Sequence, residues 1–163
     1  MQIARIEQTL EKCEEHLSAA SAYGTEIESL LTQSLLVLMC AEFEREIKTL
    51  VQEKCSSVTD TSIKTFFKSS VKAVFRSVGS SEVSGLLGRF SPAHQATFKQ
   101  RTDENPVAVT FYNNIVTNRH KVAHFEGSNA TFREVKQFYE EGHVVLDYFR
   151  EALLSPSGGA GGT

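Results

Sequence analysis

The chain has 163 residues, a net charge of −3, 40 % hydrophobic and 23 % charged residues, a balance that fits one globular domain and excludes a disordered tail. No apolar run approaches the roughly 18 residues needed to span a bilayer, and the longest, Leu35 to Ala41, reads as a buried helix segment. Ten Gly and three Pro exclude collagen-like and Pro-rich architectures.

Residues 1–20 place Ile3, Ile6, Leu10, Cys13, Leu17 and Ala20 at spacings of three and four, which predicts an amphipathic helix with an acidic outer face. Tyr23-Gly24-Thr25 breaks it, and Thr25 is placed to cap the next helix, with Glu26 and Glu28 in its first turn. That second helix is expected from about residue 26 to about residue 55. Leu30 to Ala41 is apolar nearly all round and is assigned to the centre of the core. Phe43, Ile47, Leu50 and Val51 then form a narrower stripe, and Glu44 and Lys48 pair at i,i+4.

Ser56 to Asp60 reads as a loop or helix cap. A third helix, Thr61 to Val78, carries Ile63, Phe67, Val71, Val74 and Val78, and Gly79-Ser80-Ser81 ends it. Val83 to Lys99 reads as short helices or turns around Leu86, Leu87, Phe90 and Phe98, with His94 in a loop after Pro92. Asn105-Pro106 opens another helix with Pro at its first position. Val107, Phe111, Ile115 and Val122 are expected to face inward, and Gly127 to stop the helix. Thr131 and Glu134 make a capping box for the last helix, buried through Phe132, Val135, Phe138, Tyr139, Val145, Leu146, Phe149 and Leu153. No segment has the alternation of a strand. The expectation is an all-α domain over residues 1–154, with four main helices and additional short ones, followed by a flexible Gly/Ser tail at 155–163.

Polar residues follow Met1 at once, so no secretion signal is expected. Cys13, Cys40 and Cys55 are an odd count at wide spacing, without a Cys-x-x-Cys pair. They read as small buried side chains in a reducing, cytoplasmic setting, with no metal site and no cofactor.

Charge is unevenly distributed: residues 1–60 carry −6, residues 61–136 carry +6 and residues 137–163 carry −3. The basic middle is either a surface for a polyanion or the counterpart of acidic helices inside the fold. Within it, Lys64, Lys68, Lys72 and Arg76 recur every four residues. That spacing gives a ridge about 18 Å long with roughly 6 Å between charges, suited to a single-stranded phosphate backbone or simply solvated.

The usual enzyme signatures are missing: no Gly-x-Ser-x-Gly, no phosphate-binding Gly-rich loop before a Lys, and no His-Glu-x-x-His. His16 and His143 lie on helices with no second ligand at suitable spacing. The concentration of chemistry is Asn118-Arg119-His120-Lys121-Val122-Ala123-His124. Crowding cations in one turn costs stability, so a site is one explanation and a charged helix end paired with the second helix is the other. Arg119 and His124 are five residues apart, about 140° round a helix and about 7.5 Å along it. They act on one group only if the helix loosens before Gly127 or if two copies face each other across a symmetric interface.

Arg119-His120-Lys121-Val122-Ala123-His124 resembles the Arg-x4-His motif of the HEPN domains, small four-helix proteins that include metal-independent ribonucleases of toxin and antiviral systems. Phe43-Glu44, Leu86-Leu87-Gly88-Arg89-Phe90 and Thr131-Phe132-Arg133-Glu134-Val135 are similar to the branch first noted beside L-PSP-type ribonucleases, RiboL-PSP-HEPN. The resemblance covers nearly the whole chain apart from the tail. It implies a four-helix HEPN-like bundle and a metal-independent endoribonuclease with Arg119 and His124 as catalytic residues. His120, Asn118 and Glu44 are accessory, and Lys64, Lys68, Lys72, Arg76 and Lys121 contact RNA. The products would carry 2′,3′-cyclic phosphate and 5′-hydroxyl ends. It also implies a homodimer with the motif at its interface, a toxin or defence context, and a cognate antitoxin or other defence protein as partner; no membrane contact is expected. A non-catalytic helical module binding RNA or protein is the alternative. Two positions depart from the branch: His120 stands where Asn is frequent, and Glu126 stands where some HEPN toxins carry a Tyr that a partner nucleotidyltransferase adenylylates.

The local chemistry agrees with that implication. Attack by RNA's own 2′-hydroxyl needs a base, an acid for the leaving oxygen and positive charge at phosphorus. Imidazole titrates near neutrality, and a guanidinium fork holds two phosphate oxygens.

Overall fold

The computed structural model describes residues 2–56, 58–65, 77–124 and 127–155. Seven helices are bounded within the described residues: α1 (Ala4–Ala19), α2 (Glu26–Ser56), α3 (Ser80–Phe90), α4 (Pro92–Glu104), α5 (Pro106–Ala123), α6 (Phe132–Gly142) and α7 (Val144–Leu154). Residues 61–65 are also helical, started by Asp60, whose carboxylate accepts from the Ser62 and Ile63 amides at 2.8 and 3.0 Å. The described residues contain no strand.

Helix α2 is the axis of the bundle and packs against α1, α5, α6 and α7, while α3 and α4 form a helical pair that packs on α7. Its inward face buries Leu35, Leu36, Met39, Phe43, Ile47 and Leu50. Burying side chains of this size contributes about 1.5–3 kcal/mol each.

The local signals that end and start helices are met in detail. Asn105 caps α5, its side chain accepting from the Ala108 amide at 3.2 Å, with Pro106 in the first turn. Thr131 and Glu134 form the capping box of α6. Thr25 departs from expectation, since its hydroxyl donates backwards to the Ala22 carbonyl. The carboxylate of Glu28 takes over, accepting from the Gly24 amide and, at 2.9 Å, from the Phe132 amide at the start of α6. One buried carboxylate therefore fixes the entry to α2 and docks α6 against it.

The structure corrects five further expectations. Leu30 to Ala41 is not buried all round, because Leu30 is 58 % and Val37 46 % exposed. Val107 is exposed rather than inward, and Tyr112, not Phe111, is the fully buried aromatic of α5. Its phenol has a reason to be inside: the hydroxyl donates to the Val78 carbonyl at 2.6 Å. His94 is not in a loop but on α4, only 3 % exposed. The expected single last helix divides at His143 into α6 and α7. Gly142 there abuts the backbone of Tyr112, where a Cβ would lie 2.6 Å from its nitrogen.

Candidate functional site

Helices α2 and α5 meet through an aromatic stack: Phe43 and Tyr112 lie 5.2 Å apart with rings nearly parallel. That contact fixes their relative register. Tyr112, Val116 and Arg119 follow at i, i+4 and i+7 on α5; Val37, Cys40, Ala41 and Glu44 follow at i, i+3, i+4 and i+7 on α2. The two faces enclose a cavity of about 110 Å³, whose further lining is His120, Ser77 and Val78. The Tyr112 hydroxyl places Val78 at this rim through the bond described above.

Cys40 forms part of the cavity wall, its sulfur 3.9 Å from the Ile115 carbonyl. Burial pushes its thiol up to about 12, the positive charge of Arg119 opposes that shift, and Glu44 adds to it. The thiol is therefore inert near neutrality, and the two charges act on a common space. Glu44 is held by Lys48 as the i,i+4 spacing predicts. Among the described residues no hydrogen bond or ion pair engages the guanidinium of half-buried Arg119, so the alternative of an Arg119 ion pair to helix α2 is not realised there. Its donors are available to an anion.

The remaining predicted residues fall in different places. His120 lines the cavity with Arg119. His124 does not; it is the exposed C-cap of α5, its amide returning to the His120 and Lys121 carbonyls at 3.1 and 3.2 Å. The helix thus ends at Ala123, before Gly127, which takes a positive φ of 70° in the following loop. Asn118 faces that loop: its Nδ2 donates to the Asn114 carbonyl and its Oδ1 accepts from the Ser128 hydroxyl at 3.0 Å. Its role is to hold the chain leaving the motif. Lys121 is exposed. Lys64 donates to the Ser56 carbonyl at the end of α2, at 3.3 Å. Lys68, Lys72 and Arg76 lie outside the described residues, as do Glu126 and the tail beyond residue 155.

Among the described residues, no group of three or more His, Cys, Asp and Glu is arranged to hold a metal ion, and no helix is long and apolar enough to cross a membrane. All three cysteines are free and buried. Sequence reasoning missed Cys40, Val37 and Ala41 as cavity residues; their signal is the i, i+3, i+4, i+7 series they complete with Glu44.

Comparison with known protein families matches the chain to the family described as RiboL-PSP-HEPN, over residues 1–155. No curated protein and no solved structure gives a significant match.

Proposed function

The chain belongs to the RiboL-PSP-HEPN family, and from that premise we propose that it is a metal-independent endoribonuclease whose site is the α2–α5 cavity and the end of α5. The observation that carries the proposal is Arg119, whose guanidinium has no partner among the described residues and shares its cavity with an imidazole. Arg119 binds the non-bridging oxygens of the scissile phosphate and balances the charge that accumulates as the 2′-oxygen attacks. His124 takes the 2′-hydroxyl proton. His120, four residues back and lining the cavity, gives a proton to the departing 5′-oxygen. The P–O5′ bond breaks as the P–O2′ bond forms, leaving a 2′,3′-cyclic phosphate and a 5′-hydroxyl. Glu44 shares the cavity with Arg119 and moderates its positive charge.

RNA is the substrate in this reading, its backbone following Lys121 and the ridge of Lys64, Lys68, Lys72 and Arg76. The working form is a homodimer with the motif at the interface. A cytoplasmic toxin or defence role, restrained by a cognate antitoxin or other protein, follows from the family context. One observation favours a non-catalytic RNA- or protein-binding module: His124 stands outside the cavity that holds Arg119. The two readings separate in an RNA cleavage assay with chelator present. Arg119→Ala and His124→Ala should each lower cleavage by about 10²-fold or more, with helical content unchanged. Wild-type protein that binds RNA without cutting it establishes the module instead.

A further inference from the structure

Besides α2 and α5, the Arg119 cavity is walled by Ser77 and Val78, in the turn that leads into α3. Side chains of α5 hold that turn. The Tyr112 hydroxyl donates to the Val78 carbonyl at 2.6 Å, the Ser80 amide donates to Asn113 Oδ1 at 3.1 Å, and Asn113 Nδ2 donates to the Ser80 hydroxyl at 2.9 Å. Both ends of the Asn113 side-chain amide are thus engaged by one residue. The turn is also closed internally, the Gly79 amide donating to Ser77 Oγ at 3.3 Å. Helix α3 packs mainly on α4 and only lightly on α5. These hydrogen bonds, more than the packing of α3, therefore set how far the turn stands from α5.

The placement on α5 ties this clamp to the site. Tyr112 and Arg119 are seven residues apart, and so are Asn113 and His120. A seven-residue step returns to nearly the same helix face after about two turns, or about 10.5 Å along the axis. The two residues that grip the wall therefore stand in the same two rows as the guanidinium and the imidazole that share the cavity with it. We propose that Asn113 is a positioning residue for the phosphate site: with Tyr112 it fixes the 77–80 turn to α5, so that the wall, Arg119 and His120 keep one spacing. Asn113 itself does not line the cavity; it acts through the turn. A phosphate then enters a site whose wall and donors are in place before it binds, which is where much of the advantage of a preorganised site lies. The inference rests on the phosphate role given to Arg119 above.

Point variants of the full chain test it. Asn113→Ala releases both Ser80 bonds, and Tyr112→Phe releases Val78 while keeping the ring stacked on Phe43. Ser80→Thr keeps the amide and a hydroxyl. Gln95→Ala removes a comparable bond of a half-buried side chain, from Nε2 to the Ser84 carbonyl at 3.2 Å, which ties α4 to α3 away from the cavity. In steady-state RNA cleavage, Asn113→Ala should lower kcat about tenfold or more and change KM little, because contacts that hold RNA outside the cavity are untouched. Tyr112→Phe should move kcat in the same direction, and Ser80→Thr should stay within about twofold of wild type. Gln95→Ala should lose thermal stability without losing kcat. If Asn113→Ala does not fold, Ser80→Ala takes its place, with one bond removed and a smaller loss of kcat. The site is also measured without RNA, by an NMR titration with inorganic phosphate that follows the Arg119 side-chain Nε–H signal. Wild type should shift, and Asn113→Ala should bind phosphate several-fold more weakly. Phosphate affinity unchanged in both Asn113→Ala and Tyr112→Phe overturns the proposal. So does a loss in Gln95→Ala equal to that in Asn113→Ala, or a wild-type Arg119 signal that ignores phosphate. Phosphate binding that depends on Asn113 without any RNA cleavage removes only the ribonuclease reading, and cleavage that the Asn113 and Tyr112 variants retain in full removes only this one.

Discussion

Glu28 shows how one side chain does structural work that its surroundings make expensive to lose. It is buried, yet both oxygens accept backbone amides, from Gly24 and from Phe132 across 104 residues. Truncating it leaves the buried Phe132 amide unsatisfied, which costs about 1–3 kcal/mol, and frees the Gly24 amide to solvent. His94 is the opposite case. Burial lowers its pKa below the ordinary imidazole value, the charge of Lys54 lowers it further, and a hydrogen bond with the Ala152 backbone partly restores it. The unfolded chain therefore binds a proton at higher pH than the folded one. Stability from this group is complete above the ordinary imidazole value and falls as pH drops through the window below it. Urea unfolding at pH 7.5 and pH 5 should show a loss on acidification that His94→Asn reduces; equal pH dependence in the two proteins contradicts the assignment.

At the scale of elements, the contact between α5 and α6 depends on a missing side chain. A Cβ on Gly142 would fall 2.6 Å from the Tyr112 nitrogen and 2.9 Å from its Cα. Neither is a flexible group that can swing away. Gly142→Ala should cost about 1–3 kcal/mol as the helices separate. It should also lower RNA cleavage, because Tyr112 sets the register that brings Arg119 to the cavity. A thermal midpoint unchanged from wild type contradicts this. The same elements show what the sequence makes legible. Asn105-Pro106 and Thr131 with Glu134 announce their helices because a cap is local chemistry. Ser91-Pro92 carries the same signature, and the Ser91 hydroxyl accepts from the Ala93 amide at 3.1 Å, yet the sparse apolar pattern of α4 hides the helix it starts. Periodicity also cannot choose between adjacent Phe111 and Tyr112. What decides is the Val78 carbonyl, a partner distant in sequence. The motif itself is legible as a cluster of residue types, but its geometry is not. That Arg119 and His120 share a cavity while His124 ends the helix depends on where α5 stops.

Over the whole molecule, the charge asymmetry of the sequence bears on where an RNA could lie. Helices α1 and α6 border a groove of about 600 Å³ where Glu7, Glu11, Glu14 and Glu140 stand beside Lys136 and His143, and which shares no residue with the Arg119 cavity. Lys136–Glu14 and Arg101–Glu151 pair the basic middle segment with its acidic neighbours. If RNA crosses Lys121 and the ridge that includes Lys68 and Lys72, reversing these three charges should weaken binding. Each lost phosphate contact should flatten the salt dependence by about 0.7 in log–log slope. An unchanged slope leaves those lysines solvated and idle.

The central claim is that Arg119 and the neighbouring imidazoles cut RNA with its own 2′-hydroxyl as nucleophile. The most direct test is end-group analysis of RNA incubated with purified protein and excess chelator, alongside Arg119→Ala. The account predicts fragments ending in 2′,3′-cyclic phosphate and beginning with 5′-hydroxyl, and their loss in the variant while its melting temperature stays near wild type. Fragments with 5′-phosphates, cleavage that the chelator stops, or full activity in Arg119→Ala would contradict it.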